Sequence, residues 1–206
     1  RGWIREANRG AERGCVVVEP VPISEIKSLT EYEEERKRWR AAVLELKERR
    51  RVRVGDRLTF LFENHDTVRY QIQEMMRIER ITGSAEIAHE VETYNELIPG
   101  KNELSASLLI EYETPELRAV WLRALLGLED HVWMVVGDLP PAKARFDTRQ
   151  MSTERLSSVQ YVKFPLTAEQ ASRFAKGAKI VVDHPRLAAE QALTAEQLEE
   201  LAKDLA

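Results

Sequence analysis

The sequence predicts an α+β fold in which a mostly antiparallel sheet packs with several helices, among them a long N-terminal helix and a C-terminal helix. Helix-like and strand-like segments are mixed without the regular strand–helix–strand repeat that is typical of parallel sheets. Three strand-like segments, 131–136, 142–146 and 156–164, follow one another directly. No helix between them is long enough to connect parallel strands, so we expect antiparallel pairing.

The first half of the domain should hold a long helix, a pair of strands and two further helices. Thr30 followed by Glu33 fits a capping box, which predicts a helix from there to about Arg50. The next segments have the pattern of strands, at 52–54 and 58–62, joined by a Gly-Asp turn. Helices are then predicted over 66–81 and, capped by Ser84, over the following segment as far as the Pro99-Gly100 stop.

The second half should be richer in strands. A strand is predicted over 104–112, and Thr114-Pro115-Glu116 is a strong start for a helix that ends near Gly127. Capping boxes at Thr167 and Thr194 predict two further helices, with a strand over 178–182 between them. We divide the chain into an N-terminal extension, 1–21, which we expect to be loosely ordered, and a single α+β domain, 22–206.

Composition narrows the classes of function. The chain has 206 residues, 43% of them hydrophobic and 32% charged, and a net charge of -4, so nucleic acid is not an expected partner. The single cysteine, Cys15, excludes an internal disulfide and an iron–sulfur cluster ligated within this chain. Apolar runs fall short of the roughly 18–20 residues of a membrane span, and no secretory segment is visible, so we expect a cytoplasmic protein.

The segment before and within the 66–81 helix supplies the first candidate metal ligands, His65, Glu74 and Glu79. On a helical wheel Glu74 falls on a polar face with Tyr70, Gln73 and Arg77, whereas Glu79 falls beside the apolar residues Val68 and Ile72. A carboxylate there is either a buried acid or a residue at the domain rim paired with an arginine. His65 lies between Asn64 and Asp66, which are equally explained as residues that cap the helix.

The other three histidines extend the metal hypothesis. His89 shares a helix face with Glu92 and Glu96, a reversed half of a carboxylate–histidine di-iron pattern. His131 and His184 stand at the ends of predicted strands, and all four histidines have an acid within two residues. A divalent metal such as iron or zinc could use this set, but an ordinary solvated surface explains the same residues.

Arginines cluster where the long helix meets the first strand, at Arg49, Arg50, Arg51 and Arg53. They could form an anion-binding or nucleic-acid-facing surface. Acids interleaved along the same helix favour a solvated, charge-balanced face instead. Phosphate-binding loops, a serine-hydrolase elbow and a zinc-protease motif are absent from the sequence, and whether the protein is an enzyme stays open.

Six blocks of sequence carry a family resemblance: KERRRVRVGDRLTFLFENHDTVRYQIQEMMRIERI, HEVETYNELIPG, ELSASLLIEY, GLEDHVWMVVGD, SSVQYVKFPL and VDHP. In this order they resemble the bacterial domain-of-unknown-function family 3501, over roughly residues 22 to 206. The resemblance implies a context, because such genes often lie beside a rubrerythrin-like di-iron protein and a heterodisulfide-reductase-like iron–sulfur protein. It carries no known catalytic residue onto this chain.

Three functional expectations follow. The first is an accessory or subunit protein of an iron–sulfur or di-iron redox system, with an iron–sulfur oxidoreductase or a rubrerythrin-like protein as partner. The second is a metal-binding protein or metalloenzyme with a His/carboxylate site. The third, weaker expectation is an anion- or nucleic-acid-binding module, and the oligomeric state is left open.

Overall fold

The structure, a computed structural model, describes residues 19–150 and 152–205. The predicted extension lies outside the described residues as far as residue 18. The helices of the described part are α1 Leu29–Arg49, α2 His65–Glu79, α3 Ser84–Asn95, α4 Pro115–Ala124, α5 Ala168–Arg173 and α6 Ala195–Ala202. The strands are β1 Arg51–Val54, β2 Leu58–Glu63, β3 Glu103–Ile110, β4 Val132–Val136, β5 Ala142–Lys143, β6 Arg145–Phe146, β7 Val159–Pro165, β8 Ala178–His184 and β9 Leu187–Ala192.

The strands form two antiparallel sheets, which confirms the predicted α+β class. One sheet has the order β1-β2-β3-β7-β6 and the other β5-β4-β8-β9. The chain passes from one sheet to the other at Ala144, between β5 and β6, where the Ala144 N–H donates to the carbonyl oxygen of Val132 at 2.9 Å. The chain also crosses between the sheets from β3 to β4 and from β7 to β8, and the two sheets pack against each other as a sandwich.

The main hydrophobic core lies between the two sheets. Alternate residues of β3 and β7, from Leu104 to Ile110 and at Val162 and Phe164, face alternate residues of β4 and β8 in one buried cluster. Phe164 lies with its ring centroid 6.1 Å from that of Phe60 and 6.0 Å from that of Phe62. The three aromatic rings thus pack together within this core.

A helical layer, made of α1, α2 and α3, has a separate small core. Its buried residues are Val21, Val68, Ile72, Met76, Val91 and Ile98. Val21, the last residue of the predicted extension, is 1% exposed. Its N–H donates to Asn95 Oδ1 at 2.8 Å and its carbonyl accepts from Asn95 Nδ2 at 3.0 Å, which fixes this segment to α3.

Most helix starts follow the predicted capping chemistry. The Asn64 side chain accepts from the Thr67 N–H at 3.0 Å, and Thr114, Thr167 and Thr194 cap their helices as predicted. Two predictions were wrong by a residue or two. Ser28, with Glu31, forms the capping box of α1 in place of Thr30, and Ser84 is the first helical residue of α3 rather than its cap.

The predicted polar face of α2 was wrong at two positions. Tyr70 is 7% exposed and Gln73 is 0% exposed. The reason is that α2 is covered on two sides, by α3 on its apolar face and by α1 on the face that the wheel left to solvent. A helical wheel finds one buried stripe and cannot know that a second helix packs on the opposite face.

One strand was not predicted. Residues Leu187–Ala192 form β9, which pairs with β8 from His184↔Leu187 to Lys179↔Ala192. The segment is rich in Ala, Glu and Gln, residues with low strand propensity. It is an edge strand whose residues are mostly exposed, and its pairing depends on the neighbouring strand. In the described part of the chain, no helix is long and apolar enough to cross a membrane.

Candidate functional site

The outer face of the five-stranded sheet carries several cavities. Residues of β2, β3 and β7 that alternate with the core residues point to this face. The register places Leu61 opposite Ser107 and Ser107 opposite Tyr161. The helical layer stands over this face without sealing it, because α2, α3 and the three strands together line open cavities.

Three of these cavities join into what we call the outer groove. Their volumes are about 640, 220 and 880 Å³. Leu109 and Val159 line both the first and the second cavity, and Tyr94, Leu97 and Tyr161 line both the second and the third. The groove therefore follows the strand direction past Leu109, Ser107 and Ser105, about 13 Å at about 3.3 Å per residue, and continues beyond both ends.

A buried carboxylate lies at the narrow centre of the groove. Glu63, the last residue of β2, is 6% exposed. Its Oε1 accepts from the Ser107 hydroxyl at 2.7 Å and its Oε2 from the Thr67 hydroxyl at 2.6 Å. Two hydroxyl donors satisfy the carboxylate and hold it at a fixed position on the floor of the central cavity.

Two tyrosines stand beside this carboxylate, Tyr94 from α3 and Tyr161 from β7. Burial raises the pKa of Tyr94, although a hydrogen bond with the Gln71 side chain opposes the rise. The phenol is therefore neutral at physiological pH and able to donate as well as accept a hydrogen bond. The centre of the groove thus combines apolar ring surface with hydroxyl groups.

The widest cavity has one acidic wall and one basic wall. Glu90 and Glu92 of α3, and Glu96 directly after it, face the cavity, and Arg145 and Lys163 face it from the strands. Arg149 joins the two walls, since Nη1 donates to Glu96 Oε1 at 3.2 Å. This guanidinium group lowers the pKa of Glu96. Lys163 pairs with Glu103 at 3.1 Å, whereas Arg145 has no ion-pair partner among the described residues.

The other end of the groove is rich in arginine. Arg53, Arg57 and Arg118 line it together with Asp56, Glu111 and Glu113. The Arg57 guanidinium lies 5.2 Å from the centroid of the Tyr112 ring, which itself stacks on Trp121 at 5.6 Å. Stacking on the ring and an ion pair with Glu113 at 3.7 Å hold this cation in place at the end of the groove.

His131 and His184 are brought together by the structure, with ring centroids 5.2 Å apart. Asp183 Oδ1 lies 3.0 Å from His131 Nδ1 and accepts from Trp133 Nε1 at 3.1 Å. Both nitrogens of His184 are engaged, with Nε2 3.2 Å from the Leu126 carbonyl oxygen and Nδ1 accepting from the Arg186 N–H at 3.2 Å. Of this pair, His131 therefore keeps a ring nitrogen, Nε2, for other partners.

The remaining predicted metal ligands lie apart from that pair. His65 faces Glu25 at 3.6 Å and Asp66 at 3.8 Å. The carboxylate of Asp66, and then that of Glu25, raises the pKa of His65 against the opposing effect of burial. Glu74 accepts from the Tyr32 hydroxyl and from Arg36 Nε at 2.7 Å, which lowers its pKa. Glu79 is exposed at the end of α2, and His89 is exposed at the rim of the widest cavity.

Over residues 19–150 and 152–205, no three His, Cys, Asp or Glu side chains lie close enough to hold a metal ion together. The predicted metal ligands are thus distributed over separate parts of the molecule, and only His131 and His184 are neighbours. The metal hypothesis stays a prediction.

The four predicted anion-binding arginines also have separate surroundings. Arg49 pairs with Glu45 at 3.1 Å and Arg51 with Glu48 at 3.2 Å. Arg50 is fully buried and pairs with Glu200, at 3.3 Å, and with Asp204 of the C-terminal segment. Arg53 lies in the outer groove. Anion binding by this set stays a prediction, with Arg53 as its member in the groove.

Sequence reasoning selected Arg53 and His89, which line the groove, but not the strand residues that form its floor. The available signal was the placement of polar side chains at alternate positions of strands, Ser105 and Ser107 in β3 and Tyr161 and Lys163 in β7. This pattern shows that one face of each strand is not part of an apolar core. It does not show that the polar face of β3 lies beside the polar face of β7. That arrangement follows from the pairing of the two strands.

Comparison with known proteins relates the chain to one family. Residues 20–205 match the family model described as "Protein of unknown function (DUF3501)". The structure is similar to a crystal structure of a "novel protein of unknown function" from Burkholderia pseudomallei, with a TM-score of 0.86 and 32% sequence identity. The similarity covers 91% of this chain and 100% of that one. Curated proteins yield no match. The family model covers most of the chain, and the protein therefore belongs to the DUF3501 family.

Proposed function

We propose that this protein is a cytoplasmic accessory protein of an iron–sulfur or di-iron redox system and that it binds its partner through the outer groove. The observation that supports the proposal is the groove itself, which is longer than one cavity and runs along partly exposed strand positions such as Ser107 and Tyr161. An extended segment of a partner chain fits such a shape, because an extended chain rises about 3.3 Å per residue. The proposed partner, a rubrerythrin-like or iron–sulfur protein, comes from the family resemblance.

The charges of the groove specify the segment. The acidic wall on α3 would receive basic side chains, and Arg145 on the opposite wall would receive an acidic one. Tyr94 and Tyr161 at the centre would contact an apolar or aromatic residue. We therefore propose a segment that carries charges of both signs on either side of an apolar residue. Opposed charges of this kind guide association and set the direction of binding.

The test is direct binding of the full chain to the two proposed partners from the same genome, measured by isothermal titration calorimetry. Arg145→Glu reverses a charge on the basic wall and should weaken binding about tenfold or more, which corresponds to about 1.4 kcal/mol. Lys176→Glu makes the same charge change at an exposed site outside the groove and should leave binding almost unchanged.

Two outcomes would count against the proposal. If neither partner binds the wild-type chain, the proposed association with a redox protein is contradicted. If Arg145→Glu and Lys176→Glu weaken partner binding equally, the effect reflects net charge alone. The groove is then not the binding surface.

A second candidate function is metal binding at His131, and one observation favours it. Asp183 holds Nδ1 of His131, and a carboxylate on one ring nitrogen orients the other as a ligand and makes it more basic. Elemental analysis after expression with added iron and zinc tests this candidate. Stoichiometric metal that is lost in His131→Ala would support it, and a metal content unaffected by that substitution would contradict it.

A further inference from the structure

A fourth cavity adjoins the arginine-rich end of the outer groove. We call it the serine–arginine pocket and define it by Arg118, Arg155, Ser152, Ser157 and Ser158. Its volume is about 470 Å³. Arg118 and Ser158 also line the neighbouring cavity of the groove, so the pocket opens into it. The volume suits a small molecule or one end of a larger one.

The two guanidinium groups of the pocket carry charge that the described residues do not neutralise. Neither Arg118 nor Arg155 forms an ion pair with any other described residue. Arg149, in the widest cavity of the groove, differs because Glu96 and Asp147 neutralise it. No aspartate or glutamate lines the serine–arginine pocket among the described residues. The pocket therefore presents positive charge to whatever enters it.

The serine hydroxyl groups add neutral donors. Ser152 Oγ accepts from the Glu154 N–H at 3.1 Å, and Ser157 Oγ accepts from the Val159 N–H at 3.3 Å. A hydroxyl group that accepts from the backbone keeps its own proton for another partner. The guanidinium groups and the hydroxyl groups together can thus donate hydrogen bonds to a ligand oxygen.

The loop that carries Arg155 is held against α4. The Leu156 N–H donates to the Leu122 carbonyl oxygen at 2.9 Å, and both leucine side chains are buried in the main core. This link joins the two elements that supply Arg118 and Arg155. The backbone that carries the two arginines is therefore fixed before a ligand binds, which reduces the entropy cost of binding.

We propose that the serine–arginine pocket binds the phosphate group of a small molecule. A phosphate carries about two negative charges near pH 7 and three acceptor oxygens. Guanidinium groups bind such oxygens through paired N–H donors, and the hydroxyl groups complete the set. This site is separate from Arg49, Arg50 and Arg51, which pair with acids of the protein.

The test uses the full chain and inorganic pyrophosphate as the probe. Isothermal titration calorimetry should show saturable binding that weakens from low to physiological salt, because screening reduces the attraction between ligand and guanidinium groups. Arg118→Ala and Arg155→Ala should each weaken binding about tenfold or more, as expected for the loss of a charge-assisted contact. Two independent variants, one on α4 and one on the loop, guard against a local folding defect in either.

The matched control is Arg123→Ala, which removes the same charge from α4 at an exposed position outside the pocket. It should leave pyrophosphate binding within a factor of about two, since only the distant field changes. The proposal is overturned if pyrophosphate does not bind at millimolar concentration in low salt, or if Arg123→Ala weakens binding as much as the pocket variants. Citrate separates phosphate recognition from general anion binding, and equal affinity for citrate would overturn the phosphate class.

Discussion

The sandwich between the two sheets is filled with apolar side chains, whereas α1 and α2 of the helical layer are joined largely by ion pairs and aromatic contacts. In the sandwich, Phe60, Phe62 and Phe164 are each 0% exposed. Between α1 and α2, Arg36 binds Glu74 and Arg77 binds Glu33 at 2.6 Å. Burial of apolar area is non-directional, and ion pairs and hydrogen bonds are directional. The comparison indicates that the sandwich supplies most of the stability and the helical layer supplies defined geometry at the rim of the groove.

Aromatic side chains contribute to that geometry. The Trp39 ring makes edge contacts with Tyr32 at 5.3 Å and with Tyr70 at 6.4 Å, and the Arg69 guanidinium lies 4.7 Å from its centroid. Burial and the neighbouring Glu74 carboxylate raise the pKa of Tyr32, which therefore stays a neutral donor. The orientation of α2 relative to α1 is thus set by several specific contacts.

The largest effect is expected from a cavity in the sandwich. Phe164→Ala should lower the free energy of unfolding by about 4 kcal/mol, because it removes a fully buried ring and leaves a void that neighbours fill only in part. Urea denaturation followed by circular dichroism measures the loss. A loss under about 1 kcal/mol would contradict the view that the sandwich carries most of the stability.

The second effect tests the buried ion cluster that attaches the C-terminal segment to the sandwich. Arg50 Nε donates to the Phe62 carbonyl at 3.0 Å, and its guanidinium pairs with Glu200 and Asp204. Arg50→Met should cost about 3 kcal/mol, because the buried Asp204 carboxylate loses its counter-charge and Glu200 keeps only its more exposed partners, Arg49 and Lys203. Arg38→Met, at an exposed position of α1, is the matched control and should cost far less, since Arg38 pairs with Glu35 at the surface.

This loss should depend on pH in a defined direction. Burial raises the pKa of Asp204 even beside Arg50. Without the arginine, a protonated Asp204 needs no counter-charge at low pH and an ionised Asp204 lacks one at high pH, so Arg50→Met should be less damaging at acidic pH than at alkaline pH. Denaturation across that range checks the sign, and the opposite trend would show that the cluster is not held by charge.

A smaller effect is expected between α1 and α2. Tyr32→Phe removes the hydroxyl group that donates to Glu74 and should cost about 1.5 kcal/mol, the value for a hydrogen bond to a charged group. Tyr112→Phe, on the sandwich side, is the control and should cost under about 0.5 kcal/mol. If both substitutions lower the free energy of unfolding equally, the helical layer does not depend on directional contacts more than the sandwich does.

The smallest effect concerns His65, at the start of α2. Its pKa is raised in the folded protein, so its contribution to stability is complete below the unfolded value of about 6.5 and disappears as pH rises through the folded pKa. The stability difference between the wild type and His65→Gln should therefore shrink from mildly acidic to mildly alkaline pH. A difference that grows with pH would show that the Asp66 and Glu25 carboxylates do not stabilise the protonated ring.

Local structure was predictable to the extent that it depends on neighbouring residues. Asn64, Thr114, Thr167 and Thr194 were placed correctly as caps because each side chain bonds to a backbone N–H within three residues. Strand β9 was missed because its pairing partner, β8, decides its structure against low strand propensity. Tyr70 and Gln73 were misplaced for the related reason that a second helix covers them.

The candidate site was less predictable than the fold. The histidines were selected by their chemistry, yet the structure joins only His131 and His184. Glu63 was part of a polar run in the sequence, and its role on the floor of the groove depends on Ser107, 44 residues away. These contacts were not predicted because they join residues that are far apart along the chain.

By itself the sequence determined the α+β class, the antiparallel pairing, most helix starts and the family, because these depend on periodicity, capping and ordered blocks of residues. Only the tertiary structure decided that Arg50 is buried against Asp204, 154 residues later, and that Arg118 and Arg155 line one pocket. It also decided that the polar positions of β2, β3 and β7 form one groove. Such features are set by which faces adjoin, and that follows from burial of the whole core rather than from any local preference.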